Sequence, residues 1–125
     1  MKVQPVLMTA IDASAASTAT SQAINVENAE KVTLLFTRTL HSSGSTSFAV
    51  TGSVDGITFV TLNMMIDNVT NAIAEGLTRV AASSLASNTS KVYALDLENF
   101  GYKEIKIVAT RTTDGSATAK VLIEV

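Results

Sequence analysis

The side chains able to do chemistry in this sequence are few and far apart. His41 is the only histidine, so a metal centre built on two imidazoles and a conventional zinc site are both excluded. There is no cysteine, which removes disulfides, thiol catalysis and thiolate ligands and leaves the redox compartment open. A hydrolytic triad could use His41, but no Gly-x-Ser-x-Gly elbow accompanies it. Its surroundings, His41-Ser42-Ser43-Gly44-Ser45, read as a solvated loop. Asp12, Asp55, Asp67, Asp96 and Asp114 stand singly along the chain. Asp55 and Asp114 each precede a glycine, where a carboxylate bonds to nearby backbone in a turn. The spacing fits neither an EF-hand loop nor a Glu-x-x-His pair. A calcium ion held by loop oxygens and a carboxylate pair for glycoside hydrolysis both stay open, because the fold decides which oxygens meet. No residue set is assigned a catalytic, cofactor-binding or metal-ligating role, and the chain is expected not to be an enzyme.

The aromatic content limits sugar recognition. There is no tryptophan, and the two tyrosines are Tyr93 and Tyr102. Tyr93 alternates with Leu95 and Leu97 and is expected in the core with its hydroxyl at the rim. Tyr102 follows Phe100-Gly101 and is expected in a turn, where it and Asp55 could face a glycan. Asn68-Val69-Thr70 and Asn88-Thr89-Ser90 match the glycosylation pattern. No secretory leader is read at Met1-Lys2-Val3-Gln4-Pro5-Val6, so these two are expected as chance matches.

A formal net charge of −2, with nine Lys and Arg scattered singly, gives no steering toward phosphate backbones or anionic lipid. No run approaches the ~20 apolar residues of a membrane-spanning helix. Neither nucleic acid nor membrane is expected as a direct partner, and synthesis in a cytoplasm is the default.

What must hold these residues is a set of strands. Apolar residues make up 46% of the chain and charged residues only 16%, against a usual charged share of ~25%. Ser and Thr fill the difference at roughly a quarter of the chain, which suits a half-wet pleated surface. Ala117, Ala119, Val121, Ile123 and Val125 alternate with Thr118, Lys120, Leu122 and Glu124, and the apolar set is expected under the core. Residues 104–109 alternate likewise, and Asp114-Gly115 between the two runs predicts a hairpin. A second hairpin is predicted at Asp55-Gly56, between a strand through Phe48 and Val50 and one through Ile57, Phe59 and Thr61. Gly56 and Gly115 should both have positive φ.

Further strands are predicted at 31–40, 77–85 and 91–97, and near the N-terminus at 3–11, where Pro5 implies an edge, and 22–26. Residues 64–75, with Met65, Val69 and Ile73 at helical spacing, read as an excursion containing one helical turn. The expectation is a single all-β domain over 1–125, an antiparallel sandwich or jelly roll of about seven to nine short strands. No internal repeat is evident. The Ser/Ala/Thr-rich stretch 13–20 makes 1–25 a candidate arm, partly flexible or ordered on assembly.

Two segments resemble small β-rich proteins encoded among phage and prophage structural genes. One runs from Asn28-Ala29-Glu30-Lys31-Val32-Thr33-Leu34-Leu35-Phe36 into Phe48-Ala49-Val50-Thr51-Gly52-Ser53-Val54-Asp55-Gly56-Ile57-Thr58-Phe59. The other is Tyr102-Lys103-Glu104-Ile105-Lys106-Ile107-Val108-Ala109 with Thr110-Arg111-Thr112-Thr113-Asp114-Gly115-Ser116-Ala117-Thr118-Ala119. The resemblance implies a virion structural protein that decorates or stabilises a capsid, assembles with copies of itself, often as a trimer, and brings no cofactor or catalytic residues. Ser53-Val54-Asp55-Gly56-Ile57-Thr58-Phe59 also resembles an element of discoidin-like sugar-binding sandwiches, so a carbohydrate-binding module is the alternative. An oligomer is independently expected because Leu35 and Leu122 oppose the apolar faces of their strands, and such residues usually meet another surface.

Overall fold

In the computed structural model the described residues are 6–13, 17–67, 77–95, 97 and 101–125. They form twelve strands and no helix. These are β1 Val6–Ala13, β2 Thr18–Thr20, β3 Ile24–Asn25, β4 Lys31–Thr39, β5 Gly44–Ser53 and β6 Val60–Leu62, followed by β7 Met64–Asp67, β8 Leu77–Val80, β9 Ser83–Leu85, β10 Thr89–Leu95, β11 Glu104–Thr113 and β12 Ser116–Glu124. One six-stranded sheet has the order β1-β12-β4-β10-β7-β8. The other has the order β2-β11-β5-β6, with β3 also on β11 and β9 also on β5. Every pairing is antiparallel.

The expected all-β class is therefore observed. The strand number exceeds seven to nine because β2, β3, β6 and β9 span only two or three residues, too short for alternation to reveal. Of the stretch read as an arm, β1 lies at the edge of the first sheet, paired with β12, and β2 and β3 pair with β11. Pro5, residues 14–16 and the Asn68-Val69-Thr70 motif lie outside the described residues.

Alternation builds the core. On β4, Val32, Leu34 and Phe36 point inward; on β5 Phe48 and Val50 do so, on β11 Ile105 and Ile107, and on β12 Ala119 and Val121. Burying each of the larger ones contributes about 1.5–3 kcal/mol. Phe36 of the first sheet stacks on Phe48 of the second, ring centroids 4.4 Å apart, and Tyr93 tilts against Phe36 at 5.5 Å. The Tyr93 hydroxyl is buried rather than at the rim, donating to Ser83 Oγ at 2.6 Å. Val125, expected under the core, is 48% exposed.

Three local expectations are corrected. Met64–Asp67 is a strand, β7, with Met64 rather than Met65 inside, and residues 68–76 lie outside the described set. The strand expected at 77–85 is two, β8 in the first sheet and β9 in the second, broken at Ala81-Ala82 where small residues let the chain cross. Most important, β11 and β12 are not a hairpin. They lie in opposite sheets, β11 against β5 and β12 against β4. Asp114-Gly115 is an arch over the end of the core, and both alternating runs face inward from opposite sides. Alternation and an Asp-Gly bend are the same in an arch as in a hairpin.

The two arches are related by an internal two-fold relation. Residues 37–39 and 110–112 are both Thr-Arg-Thr, each followed by a residue with positive φ, Leu40 (54°) and Thr113 (70°), and then by a positive-φ glycine before serine, Gly44-Ser45 and Gly115-Ser116. Residues 31–39 correspond to 104–112, and 45–53 to 116–124. The register agrees throughout: Leu35↔Lys120 corresponds to Val108↔Ala49, and Thr33↔Leu122 to Lys106↔Thr51. The chain is built around two strand–arch–strand units that exchange the two sheets.

Candidate interaction surfaces

The polar residues converge at the arch end. Arg38 occupies the inward position after Val32, Leu34 and Phe36 on β4 and is fully buried. A buried guanidinium must be neutralised and its donors satisfied. Its Nη1 donates to Thr46 Oγ1 at 2.6 Å, and its Nη2 donates to the Ser43 carbonyl at 3.0 Å and to Asp114 Oδ1 at 3.3 Å. Nε and Nη2 also lie 3.3 and 3.1 Å from His41 Nδ1, so the tautomer with hydrogen on Nε2 fits this network.

Asp114, whose side chain is 35% exposed, accepts from the backbone N–H groups of Ser42 and Ser43 at 3.1–3.2 Å. The Ser43 N–H foremost, then that of Ser42 and the Arg38 charge, hold its carboxyl below the usual carboxylate range against the opposing effect of desolvation. The His41 N–H donates to Asn88 Oδ1 at 2.8 Å, which ties in the loop before β10. His41 is thus a half-buried member of a network, not the solvated loop residue its neighbours suggested. Sequence reading missed Arg38 altogether. The available signal was a charged residue at the fourth inward position of a strict alternation.

The opposite end carries Asp55. Its Oδ1 accepts from Ser53 Oγ and from the backbone of Ile57 and Thr58, each at 2.8 Å, while the Gly56 N–H donates to Ser53 Oγ. The Thr58 and Ile57 N–H groups and the Ser53 hydroxyl hold this carboxyl well below its ordinary range. The loop 54–59 closes a hairpin of β5 and β6 at Asp55-Gly56, as expected, with Gly56 at φ 78°. Ile57 and Phe59, expected in its second strand, lie in the loop instead, and only Thr61 of that set is in β6. Tyr102 is half-buried, its ring over Gly52. It borders a cleft of about 170 Å³ with Leu62, Met65 and Leu95, and a more open recess of about 480 Å³ with Glu27, Val54 and Lys103. Asp55 lines neither of these two. Among the described residues no three His, Asp or Glu come together as a metal would require. Asp96 and the side chain of Asp67 lie outside that description.

The broadest features are the two outer faces. On the first sheet Leu7, Leu122, Thr33, Ala94 and Met65 form one row across the strands, and Thr9, Lys120, Leu35 and Val92 the next. Leu35 and Leu122 are diagonal neighbours on this face, both half-buried, flanked by Leu7 (61% exposed) and Val92 (55% exposed). The outer face of the second sheet is mostly hydroxyl, with Thr18, Thr20, Ser45, Ser47, Thr51 and Thr61 beside Val108 and Ala49.

Fold and surfaces together define an all-β protein of two facing antiparallel sheets whose polar network is internal and whose outward chemistry is spread over faces. No family model matches the chain, and no curated protein matches its sequence. Among solved structures, the crystal structure of the SPBc2 prophage-derived protein YomS is similar, with a TM-score of 0.62 over 97% of this chain and 94% of that one. At 13% identity the likeness is one of fold.

Proposed function

We propose that this chain is a non-enzymatic structural protein of a virion, a capsid decoration protein that assembles with copies of itself, as a trimer, on a capsid lattice. It is made in the host cytoplasm and carried in the particle. The observation that carries this reading is the apolar band Leu7, Leu122, Leu35 and Val92 on the outside of a finished two-sheet core. Apolar surface of this kind, bordered by polar residues, marks a contact with another macromolecule.

Two further observations support it. On this reading the strand order β1-β12-β4-β10 facing β2-β11-β5-β6 is taken as that of a jelly roll, an architecture found in viral capsid and in lectin domains. The solved structure described above, which shares the fold, is prophage-derived. Arg38, His41 and Asp114, the densest polar cluster described, bond to one another and to the arches, which fits a structural rather than a catalytic use.

The test is quantitative mass spectrometry of purified particles from the phage or induced prophage whose genome carries the coding sequence. The protein is expected in many copies per particle, with capsid, portal or tail genes beside its own. Its absence from the particles would overturn the reading. Saturable binding to an oligosaccharide on a glycan array would replace it with the sugar-binding alternative.

A further inference from the structure

The internal two-fold relation supplies a control that a single sheet could not. The four apolar positions of the first sheet's outer face each have an equivalent on the second, with corresponding strand neighbours. Leu122 corresponds to Thr51, and Leu35 to Val108. Leu7, the β1 neighbour of Leu122, corresponds to Thr61, the β6 neighbour of Thr51. Val92, the β10 neighbour of Leu35, corresponds to Thr20, the β2 neighbour of Val108. The degree of exposure matches pair by pair: Leu7, Val92, Thr61 and Thr20 are exposed, while Leu122, Leu35, Thr51 and Val108 are half-buried. Three of the four apolar residues are therefore threonine where the same fold places the same position. The architecture does not require leucine or valine there.

We infer that the outer face of the first sheet, centred on Leu7, Leu122, Leu35 and Val92, is covered by a second copy of this chain. The inference rests on the assembly reading above and names the partner of that surface. Charge selects the occupant. The described charged residues of this face are Lys31, Lys120 and Arg79 against Asp12 and Glu124, a near balance, with Lys31 and Glu124 directly paired in register. A face recognising a strongly basic or acidic partner would carry the opposite sign in excess. A balanced one can lie against its own copy without repulsion, as self-association requires. Lys120 lies within the patch, beside Leu35 in register, while Leu122, Thr33 and Leu35 around it are uncharged.

The experiment is sedimentation equilibrium and light scattering of the full chain at tens of micromolar, with circular dichroism as the control for folding. The wild type is expected to be oligomeric. Val92→Ser and Leu7→Ser, at positions the monomer leaves exposed, are expected to weaken self-association about ten- to a hundredfold each, the equivalent of one buried aliphatic side chain. Both variants should keep the wild-type spectrum. Thr20→Ser and Thr61→Ser, the equivalents on the second sheet, are expected to change nothing. A wild type that is monomeric at high micromolar concentration overturns the inference, as does an oligomer unaffected by Val92→Ser and Leu7→Ser combined. A monomer still found in many copies in purified particles would remove this inference and leave the virion reading standing, with a different virion protein as the occupant.

Discussion

The dipeptide Asp-Gly occurs twice, and the two copies do different work. Asp55-Gly56 closes a hairpin within one sheet, and every hydrogen bond described for the Asp55 carboxylate goes to residues two or three positions away. Asp114-Gly115 carries the chain from one sheet to the other, and its carboxylate bonds to Arg38, Ser42 and Ser43, more than seventy positions away. The first loop bonds its carboxylate locally, sets Phe59 under Lys106 Nζ at 4.3 Å, and displays Ile57, 83% exposed, at its tip. The second is the point where two arches and the end of the core are tied together. One bend motif thus serves as local punctuation and as a long-range keystone, and what distinguishes them is the partner set.

The largest expected effect separates the two glycines. At Gly115, φ is 99° and a Cβ would lie 2.6 Å from Cζ and Nη1 of Arg38, a group enclosed on all sides. Gly115→Val should cost about 2–5 kcal/mol, backbone strain and overpacking together. At Gly56, φ is 78° but the nearest atom is the mobile carboxylate of Glu104 at 3.3 Å. Gly56→Val should therefore cost only about 1–2 kcal/mol. Urea unfolding of both variants measures the gap, and equal losses would mean that the arch is no more constrained than the hairpin.

A smaller difference is expected when the polar anchors are removed. Arg38→Ala leaves a cavity between the sheets and strands Thr46 Oγ1 and the Ser43 carbonyl, for a loss of about 2–4 kcal/mol. Ser53→Ala removes the hydroxyl that bridges Asp55 and Gly56, with a loss of about 1 kcal/mol. Hydrogen exchange should place the Arg38→Ala effect in β4, β5, β11 and β12 together, and the Ser53→Ala effect in the β5–β6 loop alone.

The finest test uses pH. Both Asp114 and Asp55 have carboxyls held below the usual range in the folded chain. A depressed folded pKa contributes stability that is present above the unfolded value, near 4, and is lost as pH falls through the folded value. Stability should be level from about pH 7 to 5 and decline below about pH 4. Asp114→Asn should shallow that decline and lower stability at neutral pH, because Arg38 loses its counter-charge. Asp55→Asn should shallow it with a smaller loss at neutral pH, since the amide oxygen can still accept from Ile57 and Thr58. A wild type equally stable at pH 5 and pH 2.5 would contradict both assignments.

What the sequence determined by itself is local. Alternation at Val32, Leu34 and Phe36, at Ile105 and Ile107, and at Ala119 and Val121 marks inward positions, because a strand has period two whichever sheet it joins. Positive φ at Gly56 and Gly115 was legible for the same kind of reason, since Asp-Gly bends the chain wherever it stands. Leu35 and Leu122 were legible as outward leucines, and the structure sets them side by side on one face.

Tertiary structure alone decided the rest. It placed β12 beside β4 rather than β11, made His41 and Asp114 ligands of a buried Arg38, and paired Thr37-Arg38-Thr39 with Thr110-Arg111-Thr112 as equivalents. Each of these depends on which strands lie across the core from one another. A hairpin and an arch bury the same side chains through the same alternation, so only the partners gained across the core can tell them apart.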